Sequence, residues 1–156
     1  MKINKLIIIA ICVLLAIVTI KLVKKDIWDE NATLLREMVL SIDETSDMVI
    51  LSAVTPFEWD TVYSFTPYTS KERIYETVGY RWDYINETVD EAMDQIVFMK
   101  EGKVVCYIYG YPSNKSYGVS FDGKEHINGA SVLKLEDNLI FKVTRRDGVV
   151  YLKQTN

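Results

Sequence analysis

Two carboxylates, Glu58 and Asp60, are the residues whose types and spacing could do chemistry. They lie two positions apart in a segment that alternates aromatic and polar residues, so a strand here would point both to one side. Two carboxyl groups on one face can divide the roles of general acid and general base, as in glycoside hydrolysis. Such residues more often face solvent or accept hydrogen bonds from turn amides. A small hydrolase that uses this pair is therefore kept as an alternative hypothesis.

The rest of the sequence carries little that could support catalysis. The single histidine, His126, lies among turn residues, so any serine or cysteine mechanism would depend on it alone. Cys106 falls between Val105 and Tyr107 in a predicted strand, where a buried apolar role is favoured over a reactive thiolate. One histidine without paired cysteines is a poor basis for a zinc site, and no glycine-rich phosphate loop occurs. We therefore predict no catalytic residue, no metal and no cofactor.

Aromatic residues form a second pattern. Tyrosines alternate along one predicted strand at Tyr107, Tyr109 and Tyr111, and so share a face. Tyrosine combines an apolar ring with a polar tip, which suits protein contact surfaces, although cross-strand packing under a helix is the favoured interpretation. In the segment 57–66, alternate residues would line one face of a strand: Phe57, Trp59, Tyr63 and Phe65. The candidate binding residues are Trp59, Asp60, Tyr68, Tyr107, Tyr109 and Tyr111.

Charge is distributed unevenly between the start of the chain and the remainder. All 22 acidic residues follow residue 25, whereas 5 of the 18 basic residues lie at or before it. The remainder therefore carries 13 minus 22, a formal charge of −9. A surface this acidic repels phosphate backbones, so we expect no nucleic acid partner.

The first residues predict a membrane anchor. Residues 6–20 are uncharged and strongly apolar, and lysines flank them on both sides. Crossing the hydrocarbon core takes about 20 residues, which residues 3–23 supply if Lys21 extends its ammonium to the headgroups. The residues that follow the run offer no small-residue cleavage site, which disfavours a cleaved signal peptide. We predict a single-pass signal anchor that contacts membrane lipid through residues 3–23.

This anchor divides the chain in two. Residues 1–25 form a tail and the transmembrane segment, and residues 26–156 suffice for one soluble domain. Basic residues on the two sides of the anchor are nearly balanced, so the positive-inside rule does not determine the orientation. A short tail before one apolar segment and a whole domain after it favour a domain on the outer side of the cell membrane.

Periodicity in residues 26–156 places helices early and strands late. Apolar spacing predicts a helix over 28–42, and a capping box at Thr69 and Glu72 predicts a short helix that Gly79 ends. The strands are predicted at 48–54, 57–66, 95–99, 103–111, 117–121, 131–135, 139–144 and 149–153, with a loop over 79–92. The predicted fold class is α+β, in which an N-terminal transmembrane helix precedes early helices packed on one mostly antiparallel, meandering sheet.

Two segments carry a resemblance. Phe57–Tyr68, with its Trp-Asp and Pro-Tyr pairs, is followed by the capped helix and later by Ile96–Val105. Together they resemble a family of small membrane-anchored proteins of low-GC Gram-positive bacteria. The resemblance implies a bacterial cell envelope and carries over no activity and no functional residue. The order of helices and strands is also similar to small envelope modules related to outer-membrane assembly lipoproteins and β-lactamase-inhibitor proteins, a likeness of fold alone.

These patterns favour a membrane-tethered, non-enzymatic interaction module of the cell envelope. Its basis is an anchor joined to an acidic, aromatic-rich domain without catalytic residues, and its expected partner is another envelope protein or a toxin. One alternative is the small envelope hydrolase that uses Glu58 and Asp60. Another is an accessory subunit of a larger membrane complex, which differs only in the permanence of its contact.

Overall fold

The computed structural model describes residues 9–14, 26–123 and 125–155. Residues 9–14 are helical. Within these ranges, no helix combines the length and the apolar character needed to cross a bilayer. Most of the predicted anchor, at 3–8 and 15–23, lies outside the described residues. The transmembrane segment therefore stays a prediction.

The described residues from 26 onward form an α+β domain, which confirms the predicted class. Its helices are α1 (Ile27–Leu40), α2 (Leu51–Val54), α3 (Lys71–Val78) and α4 (Pro112–Lys115). Its strands are β1 (Met48–Ile50), β2 (Thr61–Phe65), β3 (Asp94–Lys100), β4 (Lys103–Gly110), β5 (Tyr117–Ser120), β6 (Glu125–Ile127), β7 (Ala130–Lys134), β8 (Ile140–Arg146) and β9 (Val149–Gln154). Three of the four helices precede β3, and most of the strands follow α3. The predicted order of early helices and late strands is thus present.

The strands form two sheets, so the single predicted meander is wrong. Five strands in the order β4-β3-β2-β7-β6 pair antiparallel throughout. The other sheet has the order β1-β8-β9-β5, and there β5 runs parallel to β9. Adjacent hairpins predicted one sheet, but β5 crosses to the second because Tyr117 and Val119 become buried in the core.

The five-stranded sheet is buried on both faces. Val62, Phe98 and Leu133 lie side by side on three strands and pack toward α1 and the four-stranded sheet. Alternation turns Val97 to the opposite face, where Ile74 of α3 covers it. This explains why β3 has five consecutive buried residues instead of an apolar and polar alternation.

Helix α1 protects the edge of this sheet. It packs along β4, the outermost strand, and the side-chain amide of Asn31 donates to the carbonyl of Val105 at 2.8 Å. The register between β3 and β4 shifts next to Val105, a bulge that leaves ladder groups in need of another partner. The helix therefore covers an edge that would otherwise be open to pairing.

The predicted strand over 48–54 is too long. The strand ends at Ile50, and the chain continues directly as α2. Leu51 and Val54 are buried, and a helical turn brings both into the core from one side. The run of apolar residues indicated burial correctly but did not distinguish a strand from a buried helical turn.

The aromatic residues expected on one strand face are separated, which corrects that prediction. Phe57 and Trp59 precede β2 and meet Phe98 edge-on, with ring centroids 5.6 and 5.4 Å away. Tyr63 and Phe65 belong to the core on the other side of the sheet. Strand parity places residues on one face only while the strand lasts, and β2 begins at residue 61.

Helix α3 begins one residue later than the capping box predicts. Ser70 is the N-cap, and its hydroxyl accepts a hydrogen bond from the N–H of Arg73 at 3.5 Å. Thr69 is buried and donates to the carbonyl of Thr66 instead. The predicted end is confirmed, since Gly79 has φ 88°, the left-handed conformation that favours glycine after a helix.

Candidate functional site

The outer side of the four-stranded sheet is the candidate site. We call it the open face and define it by Met48, Ile50, Ile140, Lys142 and Lys153. The apolar members are 49%, 52% and 43% exposed in that order. Register places Met48 beside Lys142 and Lys142 beside Lys153, while Ile50 lies beside Ile140. An apolar row and a basic row therefore adjoin.

Strand alternation explains why these side chains face outward. Their neighbours Val49, Phe141, Val143 and Leu152 pack into the core between the two sheets. Successive residues of a strand point to opposite faces, so burying this set leaves the other set outside. The core thus determines which residues the open face presents.

The sheet that carries the open face is basic in an otherwise acidic domain. Its four strands contain four basic residues and no Asp or Glu: Lys142, Arg145, Arg146 and Lys153. Everything beyond residue 25 together has a formal charge of −9. An acidic partner would thus be attracted to this sheet and repelled by most of the remaining surface.

Both arginines of this sheet are engaged within the domain. The guanidinium of Arg145 donates to the carbonyls of Ile42 and Asp43 at 3.0 and 2.8 Å. Arg146 lies over the ring of Tyr151, 5.7 Å from its centroid. Neither Lys142 nor Lys153 has an ion-pair partner among the described residues. The two lysines are therefore the charges left for another molecule.

The predicted carboxylate pair is not assembled into an acid/base site. Glu58 and Asp60 precede β2 instead of lying on one of its faces. Asp60 Oδ2 accepts a hydrogen bond from the N–H of Glu101 at 2.7 Å and so holds the turn between β3 and β4. Glu58 Oε2 lies 3.9 Å from Nζ of Lys100. Each carboxylate has its own partner, and this geometry gives the hydrolase alternative no support.

Trp59, the neighbour of both carboxylates, is part of the core. Its indole Nε1–H donates to Oγ1 of Thr55 at 2.9 Å, and the hydroxyl of Thr55 donates to the carbonyl of Leu51 at 3.1 Å. The ring is almost fully buried. A cavity of 310 Å³ opens beside it, lined in part by Glu58 and Lys100. The structure therefore leaves little of Trp59 for a partner.

Tyr107 and Tyr109 fasten the loop of residues 79–93 to the five-stranded sheet. Their rings stack with centroids 5.9 Å apart. The hydroxyl of Tyr107 accepts from the N–H of Asn86 and from the side-chain amide of Gln95, each at 3.2 Å, and burial raises the pKa of Tyr107. The hydroxyl of Tyr109 donates to the carbonyl of Glu87 at 2.9 Å. Both polar tips are therefore used inside the domain.

Tyr68 and Tyr111 lie apart from these two. Tyr68 is exposed in the left-handed conformation, with φ 65°, and its N–H donates to the carbonyl and to Oγ1 of Thr88 at 3.2 and 3.1 Å. Tyr111 is half-buried and is the N-cap of α4. The structure therefore does not bring the six predicted binding residues together in one site.

A buried ion pair that the sequence did not predict joins β3 to α4. The carboxylate of Asp94 lies 3.3 Å from Nζ of Lys115, and the side chains are only 17% and 16% exposed. Burial raises the pKa of Asp94 and lowers that of Lys115, while their mutual attraction opposes both shifts. Lys115 also donates to the carbonyl of Gly110. Local spacing could not signal a contact between residues so far apart in sequence.

His126 has neighbours of the right types for a triad but not the right geometry. Asp122 Oδ1 lies 3.0 Å and Ser131 Oγ lies 3.3 Å from the same ring nitrogen, Nε2. A catalytic triad needs the carboxylate on one nitrogen and the nucleophile on the other. Within the part of the chain that the structure describes, no three His, Cys, Asp or Glu side chains are grouped to hold a metal ion.

Comparison with known proteins does not assign the domain to a family. No family model, no curated protein and no solved structure matches the chain. Its function is therefore argued from the open face and from the engagement of the other polar groups.

Proposed function

We propose that this chain is a membrane-tethered, non-enzymatic interaction module of the cell envelope whose open face binds a protein partner. The observation that carries the proposal is a sheet face on which Met48, Ile50 and Ile140 are exposed beside lysines. A half-buried antiparallel sheet ordinarily turns polar residues to water. Clustered apolar residues with a polar rim are instead typical of an interaction surface.

The side chains of the open face indicate which kind of partner surface would fit it. Methionine and isoleucine side chains favour an apolar patch on the other protein, because burying them removes hydrocarbon from water. Lys142 and Lys153 favour carboxylates around that patch. The partner we propose is therefore an envelope protein with an acidic rim around an apolar centre.

The membrane tether and the envelope location belong to the same proposal. They are supported by the apolar run at 6–20 with its flanking lysines, and by the resemblance of Phe57–Tyr68 to small membrane-anchored bacterial proteins. The order of a short tail, one anchor and a whole domain favours a domain outside the cytoplasm.

Photocrosslinking in cells tests the open face. A photoreactive residue at Ile140, on the open face, is compared with one at Glu76, an exposed position of α3. We expect a discrete adduct of one protein mass from position 140, absent at 76 and abolished by the pair Lys142→Glu and Lys153→Glu. Adducts of equal yield at both positions, or none at 140, would contradict the proposal.

Cysteine accessibility on intact cells tests the location. A cysteine is introduced at Ser113, which is exposed, in a Cys12→Ala background. Cys106 can stay, because it is fully buried and burial raises the pKa of its thiol far above the usual range. Labelling by an impermeant maleimide is expected. Labelling only after lysis would place the domain in the cytoplasm and refute the envelope location.

A further inference from the structure

A cluster of aromatic rings lies where the domain begins. Trp28, in the first turn of α1, has its ring centroid 5.3 Å from that of Trp82 and 4.9 Å from that of Tyr84. Tyr107 of β4 packs edge-on against the cluster, with its ring centroid 5.2 Å from that of Trp82. The loop of residues 79–93 thus brings two aromatic side chains to the point where the chain enters the domain.

The distance along the chain limits how far this cluster can lie from the predicted anchor. The anchor ends at residue 23, and α1 begins at Ile27. Four residues span at most about 14 Å when fully extended. The headgroup layer beyond each side of the hydrocarbon core is roughly 5 to 8 Å thick. The start of α1 must therefore lie in or directly beside that layer.

The side chains at this end suit such an environment. Ile27 and Tyr84 are exposed, and Trp28 and Trp82 are half-buried. Tryptophan and tyrosine are enriched at membrane interfaces because they combine an apolar ring with a polar group. In Trp28 the indole Nε1 is itself buried, so this residue would contribute its ring alone. The apolar side chain of Ile27 can enter the same layer without a polar partner.

The sequence that leads into the cluster carries no net charge. Residues 21–30 include three lysines and three carboxylates: Lys21, Lys24, Lys25, Asp26, Asp29 and Glu30. In the loop, Arg81 Nε lies 3.3 Å from a carboxylate oxygen of Asp83. The loop as a whole is acidic, with Glu87, Asp90 and Glu91 besides this pair. A zwitterionic bilayer has no net charge, so these carboxylates do not oppose its approach.

We propose that Ile27, Trp28, Trp82 and Tyr84 rest in the headgroup layer of the membrane and fix how the domain stands on it. This inference rests on the proposed membrane tether and adds a second contact with lipid. The partner is a bilayer surface recognised through aromatic and apolar side chains, with little dependence on lipid charge.

Quenching by brominated lipid tests the contact on the full chain. The protein is reconstituted into phosphatidylcholine vesicles whose acyl chains are brominated near the headgroup, and its tryptophan emission is compared with that in ordinary phosphatidylcholine. We expect a loss of up to about two thirds of the emission, because two of the three tryptophans lie in the cluster. The double variant Trp28→Phe, Trp82→Phe retains only the buried Trp59 and should lose almost none.

The outcomes distinguish the headgroup contact from the membrane tether on which it depends. A chain that floats with the vesicles while its emission is unchanged would overturn the headgroup contact and leave the tether intact; a protein partner would then be the better occupant of the cluster. A chain that does not float with the vesicles would remove both. Quenching that appears only when phosphatidylglycerol is added would overturn the charge-independent contact. Circular dichroism of the double variant checks that it is folded.

Discussion

The two sheets of this domain differ in how many of their faces are buried. The five-stranded sheet is covered on both faces, by α1 and the other sheet on one side and by α3 and the loop 79–93 on the other. The four-stranded sheet is covered on its inner face and leaves the open face in solvent. Three of the five aromatic residues that suggested binding lie in the covered sheet or pack against it: Trp59, Tyr107 and Tyr109. Aromatic residues therefore indicated mainly which segments are buried. The contact surface that we propose consists instead of apolar residues that the fold leaves exposed.

Phe98→Ala should break the covered sheet and have the largest effect. Phe98 has no exposed surface and meets both Phe57 and Trp59 edge-on. Truncation leaves a cavity among three elements, so we expect the free energy of unfolding to fall by about 3 to 5 kcal/mol, as measured by urea denaturation. A loss below about 1 kcal/mol, the scale of a surface change, would mean that this face is loosely packed.

Lys115→Met should have the second largest effect on stability, because it leaves the carboxylate of Asp94 in the covered sheet without its charged partner. Asp94 would keep its burial and lose the ammonium 3.3 Å away. Removing one partner of a buried pair costs about 3 kcal/mol, whereas replacing both is close to neutral. The double variant Asp94→Asn, Lys115→Met should therefore recover most of the loss in the same urea titration. Equal losses in the single and double variants would argue against a coupled pair.

The pH dependence of this pair has a definite sign. Burial raises the pKa of Asp94 above its usual 3.8, so the folded protein holds that proton more tightly than the unfolded chain does. The contribution of Asp94 to the free energy of unfolding therefore falls as pH rises from near 3.8 through the folded pKa. Lys115→Met should raise that pKa further, so its deficit relative to the wild type should grow from pH 4 to pH 7. A deficit that shrinks over this range would contradict the assignment.

Tyr107→Phe should loosen one side of the covered sheet without breaking it. The variant removes the acceptor of the Asn86 N–H and of the Gln95 amide. Leaving buried donors unsatisfied costs about 1 to 3 kcal/mol. Hydrogen exchange at the amides of residues 79–93 should quicken. Tyr109→Phe is the matched control with a smaller expected effect, about 1 kcal/mol, because it removes a donor to an exposed residue. Equal protection of the loop in wild type and Tyr107→Phe would show that the hydroxyl does not hold it.

Much of the fold could be predicted because its signals are local. The hairpin of β3 and β4 turns at Glu101 and Gly102, with φ 49° and 72°, and the hairpin of β8 and β9 turns at Asp147 and Gly148, with φ 53° and 75°. Such turn residues lie beside the strands they join. The pairing of β1 with β8 and of β5 with β9 joins segments distant in sequence. These pairs depend on which side chains fill the core, which no local window contains.

The candidate site was harder to predict for the same reason. Ile140 and Phe141 are both apolar, and only the later residues Lys142 and Val143 indicate which of the two faces inward. In this strand the alternation of apolar and basic residues in the sequence therefore indicated which side chains face outward. Met48–Ile50 is apolar at every position, so its outward residues could not be distinguished before its partner strand was known.

Two adjacent residues, Ile140 and Phe141, lie on opposite faces of the four-stranded sheet. We expect Ile140→Thr to have the smallest effect on stability and Phe141→Thr a large one. Ile140 lies on the open face and Phe141 has no exposed surface. Threonine keeps the β-branched shape that strands favour, so Ile140→Thr should change the free energy of unfolding by about 0.5 kcal/mol or less, whereas Phe141→Thr should cost several kcal/mol. Ile140→Thr should nevertheless remove the crosslinked adduct when the photoreactive residue is placed at Ile50, its neighbour on the open face. If it instead destabilises the isolated protein as strongly as a core substitution, another part of the chain or a second copy covers this face in solution. The apolar row would then be structural, and the partner would have to be sought elsewhere.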